Sequence, residues 1–125
     1  MEWEAIATSQ APAAIGPYSQ AIRAGEWLFV SGQIPLDPAT GRLVEGDAAA
    51  QAERAIRNLQ AVVEAAGGRL ENVVKVTLYL ADMSQFDAVN RVYARFFGHK
   101  PARAAIGVAA LPKGALVEIE AVARL

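Results

Sequence analysis

With 125 residues, 54% of them hydrophobic, the chain is long enough for one core and too short for two. Twelve basic against thirteen acidic side chains leave a net charge of −1, which provides no basic stripe for nucleic acid. The absence of cysteine excludes disulfides, thiolate nucleophiles and thiolate metal sites, and the single histidine, His99, gives neither a histidine-rich metal centre nor a recognisable Ser-His-Asp set. No apolar run approaches the ~20 residues that span a bilayer, and the start, Met1-Glu2-Trp3-Glu4, lacks the basic segment and apolar core of a secretory signal, so a cytoplasmic protein is expected.

Residues 2–9 set Trp3, Ala5 and Ala7 against Glu2, Glu4, Ile6 and Thr8, the weak alternation of an edge strand. Pro12, Gly16 and Pro17 then break regular structure just before the Tyr18 ring. Residues 19–24 and 27–33, joined by Gly25-Glu26, read as a hairpin with Trp27, Phe29 and Ser31 on one face and Leu28 and Val30 on the other. A loop over 34–47, punctuated by Pro35, Pro38, Gly41 and Gly46, leads to Asp47, the N-cap of a helix running to about Ala66 and stopped by Gly67-Gly68. Ala52, Ile56, Leu59, Val63 and Ala66 make its buried stripe, and Glu53 pairs with Arg57 on the exposed side.

The strongest strand spans 73–81, with Val74, Val76, Leu78 and Leu80 on one face and Lys75, Thr77 and Tyr79 on the other. Ser84 and Asp87 have capping-box spacing for a second helix over 85–97, halted by Gly98 and Pro101, with Phe86, Val89, Tyr93, Phe96 and Phe97 facing inward. Asn90 shares that stripe and needs partners there, because an unsatisfied buried amide costs about 1–3 kcal/mol. The chain closes with strands over 103–109 and 115–125, expected to pair as a hairpin through Pro112-Lys113-Gly114. The last strand points Val117, Ile119, Ala121, Ala123 and Leu125 to the core and Glu118 and Glu120 to the other face, with the two carboxylates about 7 Å apart. Pairing as a hairpin would bring Arg103 into their neighbourhood.

The class is α+β, a single domain over 1–125 with a mixed sheet of five or six strands and two helices on one face. The opposite face, with Trp27, Phe29, Tyr79 and Val122, is too apolar to stand in water, so a homo-oligomer packing sheet faces together is expected.

Each polar candidate has a plainer role beside the functional one. Arg103 carries a fork suited to a carboxylate, or it pairs with Glu118 or Glu120. Glu118 is a general base holding a water, or half of a salt bridge; Glu120 reads as structural. Tyr18 lids a pocket or simply packs, and Ser31 with Gly32 binds an anion or forms a turn. Asn90 contacts a ligand or anchors a loop. His99 complements a helix dipole, and Lys113 is solvated.

The segments PARAAIGVAALPKGALVEIEA, APAAIGPYSQA, VSGQIPLDPATGRLVEG, QAERAIRNLQAVVEAAG and VVKVTLYLADMSQFDAVNRVYARFF together resemble the Rid family of reactive-intermediate deaminases, also called YjgF, in order and over nearly the whole chain. The resemblance implies a chorismate-mutase-like fold assembled as a homotrimer with clefts between subunits. It implies hydrolysis of 2-imino acids, such as 2-iminobutanoate and 2-iminopropanoate, to 2-oxo acids and ammonia, without cofactor or metal. Arg103 would bind the substrate carboxylate and Glu118 would activate the attacking water. Tyr18, Ser31, Gly32 and Asn90 would line the cleft. Ala105 stands where many members carry cysteine, which bears on pocket volume and substrate preference. The alternatives are a module that binds small carboxylates in the same cleft without turnover and, as attributed to some relatives, RNA cleavage or holdase chaperoning; the charge and the lone His99 argue against nuclease chemistry.

Overall fold

The Asp47 carboxylate accepts a hydrogen bond from the Ala50 amide at 2.9 Å and so opens helix α1, Ala48–Ala65, in a computed structural model that describes residues 2–125. The helix closes as its glycines predict. Gly67, at φ 89°, donates its amide to the Glu64 carbonyl and Gly68 donates to Val63, a Schellman pattern that uses carbonyls the helix end would otherwise leave free. Between these caps Ile56, Leu59 and Val63 are fully buried, each worth about 1.5–3 kcal/mol on leaving water. Asp47→Ala is expected to cost about 1 kcal/mol, read as a lower urea midpoint at unchanged slope.

Six strands follow the expected order along the chain: β1 (Trp3–Ile6), β2 (Ala21–Ala24), β3 (Trp27–Gln33), β4 (Val73–Leu80), β5 (Ala102–Gly107) and β6 (Val117–Arg124). They form one sheet ordered β1-β2-β3-β6-β4-β5, antiparallel throughout except for the parallel pair β4 and β5. Helix α2, Phe86–Phe96, makes the connection between those parallel strands. The inward residues of β3, β4 and β6, among them Leu28, Val30, Val76, Leu78, Leu80, Val117 and Ile119, share one core with α1 and α2. A mixed α+β sheet with both helices on one face results.

The predicted terminal hairpin does not form. Strands β5 and β6 do run in opposite directions, but β4 lies between them, bonded in parallel to one and antiparallel to the other. The Pro112–Gly114 turn, with Lys113 at φ 58°, reverses the chain and carries it past a whole strand. Val74 also departs from expectation. In the β4–β6 register Val73 sits opposite Ala123 and Lys75 opposite Val122, so Val74 is the extra residue of a bulge and is exposed, while Val73 takes the inward position.

Ser84 is not the cap of α2. The Asp82 carboxylate accepts from the Ser84 amide at 2.9 Å and starts a 3-10 turn over Met83–Gln85 that leads into the helix. Phe86 and Phe96 are only half-buried, and Val92 completes the inward stripe with Val89, Tyr93 and Phe97.

On the face opposite the helices, Trp3, Trp27, Phe29 and Ile106 are each 41–50% exposed, and the register aligns them with Tyr79 and Val122. Nothing in the described chain covers this apolar surface. Among the described residues no helix is long and apolar enough to cross a membrane.

Candidate functional site

Alternation along the strands divides the candidate residues between the two faces of the sheet. Arg103 is the register partner of Val76, an inward residue, so its side chain lies on the helix face; Ala105, partner of Leu78, points the same way and packs against the core. Glu118 and Glu120 are opposite Tyr79 and Thr77 and lie on the other face. With strands about 4.8 Å apart and about 3.3 Å per residue, the Arg103 and Glu118 backbones stand roughly 14 Å apart, and their side chains diverge from there. No four-carbon acid bridges them within one protomer.

The first group of residues is built by the β4–α2–β5 unit. Arg103 donates from Nη1 to Asn90 Oδ1 at 2.6 Å, and its guanidinium carbon sits 4.7 Å from the Tyr93 ring centre and 5.5 Å from that of Phe86. Among the described residues no acidic side chain lies within ion-pair distance of Arg103. The ion pair with Glu118 or Glu120 considered from spacing is therefore not made. Among the described residues one of its five N–H donors is used and no anion compensates its charge. Asn90, Tyr93, Phe97, Lys100, Pro101 and Arg103 line a cavity of about 420 Å³.

The second group gathers at the β3–β6 border. The register between Val30 and Gln33 is irregular there, and Gly32 lies directly beneath Glu118: a Cβ at Gly32 would stand 1.9 Å from Glu118 Oε2. Only glycine leaves room for the carboxylate in that position. Burial, reinforced by the neighbouring Glu120 charge, pushes the Glu118 pKa above its ordinary range. Glu120 Oε1 accepts from the Tyr79 hydroxyl at 2.5 Å, a bond that pushes the Tyr79 pKa up to about 12 and ties Glu120 to the sheet, in keeping with a structural role.

Tyr18 is exposed and shares a cavity of about 450 Å³ with Ile15, Gly32, Gln33, Pro112 and Lys113. Ser31 is committed elsewhere. Its hydroxyl donates to the Ser19 carbonyl at 2.6 Å and its amide to Gln20, which pins the segment bearing Tyr18 to β3. His99 is exposed, as expected, and its Nε2 donates to the Val73 carbonyl at 2.9 Å.

Several supporting residues escaped the sequence reading. Tyr93 and Phe86 counted there only as core, yet their i+3 and i−4 spacing from Asn90 puts all three on one helix face, which was a usable signal. Buried Gln20 holds the N-terminal loop through the Thr8, Ala11 and Pro12 carbonyls, and Asn58 holds the loop after β3 through Ile34 and Leu36. No pattern in the sequence singles those amides out.

Comparison with known proteins agrees over almost the whole chain. A family model described as endoribonuclease L-PSP matches residues 8–125. The chain is 54% identical over 121 residues to a RutC family protein of Pyrococcus horikoshii, covering 96% of each. It is 52% identical over 119 residues to the 2-iminobutanoate/2-iminopropanoate deaminase of Mus musculus, covering 94% of this chain and 88% of that protein. Escherichia coli TdcF, whose structure was determined with bound serine, superposes with a TM-score of 0.93 at 40% identity and 98% coverage of both chains.

Proposed function

The chain belongs to the Rid family, the group matched by the endoribonuclease L-PSP model, and from that premise we propose that it hydrolyses small 2-imino acids, such as 2-iminobutanoate and 2-iminopropanoate, to 2-oxo acids and ammonia. The observation that carries this reading is Arg103: a guanidinium on the wall of a cavity which, among the described residues, has neutral partners alone and donates one hydrogen bond of the five it can make. Such a group is a receptor for a planar carboxylate. The deaminase name borne by the mouse relative and the serine bound to TdcF point to the same class of small amino-acid-like ligand.

The chemistry needs one further group. Arg103 orients the substrate by its carboxylate, and Glu118 takes a proton from a water as the oxygen adds to the protonated C=N carbon. The resulting carbinolamine receives that proton back on nitrogen. The C–N bond then breaks, the hydroxyl loses its proton, and 2-oxo acid and ammonium result. A carboxylate whose pKa is raised by burial is a better base and acid near neutrality than an exposed one. Imines hydrolyse readily unaided, so two positioned groups suffice.

Because Arg103 and Glu118 face away from each other within one chain, each cleft takes the arginine of one protomer and the glutamate of the next. A ring of three protomers, with the apolar sheet faces turned inward, supplies three such clefts and covers Trp27 and Phe29. The test is complementation. Arg103→Ala and Glu118→Gln chains, each inactive alone, are co-expressed and assembled; with random mixing in a head-to-tail ring about a quarter of the clefts hold both groups, and activity should return to about that fraction. Mixed assemblies as inactive as their parents would reject the shared cleft. A wild-type protein that releases no ammonia above background from 2-iminobutanoate, generated in situ from threonine and a dehydratase, would reject the activity itself.

A further inference from the structure

An arginine that must present its N–H edge to a ligand has to be held by something other than that edge. A carboxylate partner would occupy the donors and cancel the charge, whereas an aromatic ring grips the flat face of the guanidinium and leaves the donors free. Arg103 has aromatic neighbours rather than a carboxylate, with its guanidinium carbon 4.7 Å from the Tyr93 ring centre and 5.5 Å from that of Phe86. The Tyr93 ring is itself fixed: it is 6% exposed and stacks on Phe97 with centroids 4.4 Å apart and planes 24° from parallel. Its hydroxyl has no hydrogen-bond partner among the described residues, and its contact with the guanidinium is made through the ring.

We propose that Tyr93 and Phe86 are positioning residues that form an aromatic cradle for Arg103, stacked on Phe97 and setting the direction in which the fork meets a substrate carboxylate. The proposal rests on the reading of Arg103 as the carboxylate grip. Asn90, bonded to Nη1, fixes rotation of the fork in its plane, while the rings fix the plane. Lysine in place of arginine would have no planar face to rest on the rings in this way.

The experiment compares wild type with Tyr93→Phe, Tyr93→Leu and Phe86→Leu. The probe is 2-oxobutanoate, titrated calorimetrically; KM and kcat for the imino acid and the proton shifts of the Arg103 δ-methylene are read in parallel. In the wild type those protons should lie upfield through the ring current, and Tyr93→Leu should move them back. Tyr93→Leu should weaken binding and raise KM about tenfold, and Phe86→Leu about threefold, with kcat changed much less, since a ground-state contact to the carboxylate persists in the transition state. Tyr93→Phe should match wild type in shifts and affinity. Equal affinity across all four proteins, or a phenylalanine variant as impaired as the leucine variant, overturns the cradle; where Tyr93→Leu fails to fold, the half-buried Phe86→Leu decides. Wild type that binds 2-oxobutanoate but does not accelerate ammonia release removes the deaminase reading and leaves the cradle standing. Wild type that fails to bind the acid overturns both.

Discussion

Arg103→Ala should lower kcat/KM for 2-iminobutanoate hydrolysis by about 100-fold or more, to a rate close to the uncatalysed one. A charged hydrogen bond is worth about 1.5–3 kcal/mol and a bidentate grip uses two, while each 1.4 kcal/mol is a factor of ten. Stability should hardly change. Arg103 is exposed, with one side-chain hydrogen bond and its contacts to the Tyr93 and Phe86 rings, so unfolding by urea should shift by no more than about 1 kcal/mol. Semicarbazide trapping of the imine measures the activity: active protein lowers the yield of trapped product, and the variant should leave it at the level of buffer. A variant as active as wild type would end the assignment of this residue.

Glu118→Gln should lower kcat by about 100- to 10,000-fold, the usual span for a positioned general base, with KM altered far less. Its effect on stability has the opposite sign. Burial raises the Glu118 pKa in the folded protein above the ordinary value of 4.5, so between that value and the raised one the native state binds more protons than the unfolded state. Stability referable to this group is therefore fully present below about the unfolded carboxylate range and falls as pH rises through the folded pKa. The glutamine variant, which has no proton to lose, should unfold at a higher temperature than wild type near pH 7 and lose that advantage near pH 4. Thermal unfolding across this range checks it; a glutamine variant that is less stable at both pH values would show that the carboxylate is a stabilising partner rather than a strained one.

Much of this fold is legible in local sequence pattern. Asp47 with Gly67-Gly68 bounds α1 because caps act within one turn, and the alternation of β6 separates Val117 and Ile119 from Glu118 and Glu120 because side-chain direction in a strand is set residue by residue. Strand neighbours are a different matter. The turn at Pro112–Gly114 encodes that the chain doubles back, and its chemistry is the same whether the returning strand pairs with the one before it or passes over β4. The Val74 bulge was hidden for a related reason: Val73 and Val74 are chemically identical, and only the partner strand chooses between them. Arg103 and Glu118 were legible as residues, while their opposite orientation depended on the misjudged strand order.

The β4–α2–β5 unit has a consequence for how such a protein diversifies. Arg103, Asn90, Tyr93 and Phe86 come from one uninterrupted stretch of polypeptide, whereas Tyr18, Gly32 and Glu118 are drawn from its two ends. Under the proposed function, acid capture is thus encoded as a cassette, separable from the residues assigned to hydrolysis. A graft of that segment from a relative with a different appetite would retune which acids are admitted without touching the residue that handles the water.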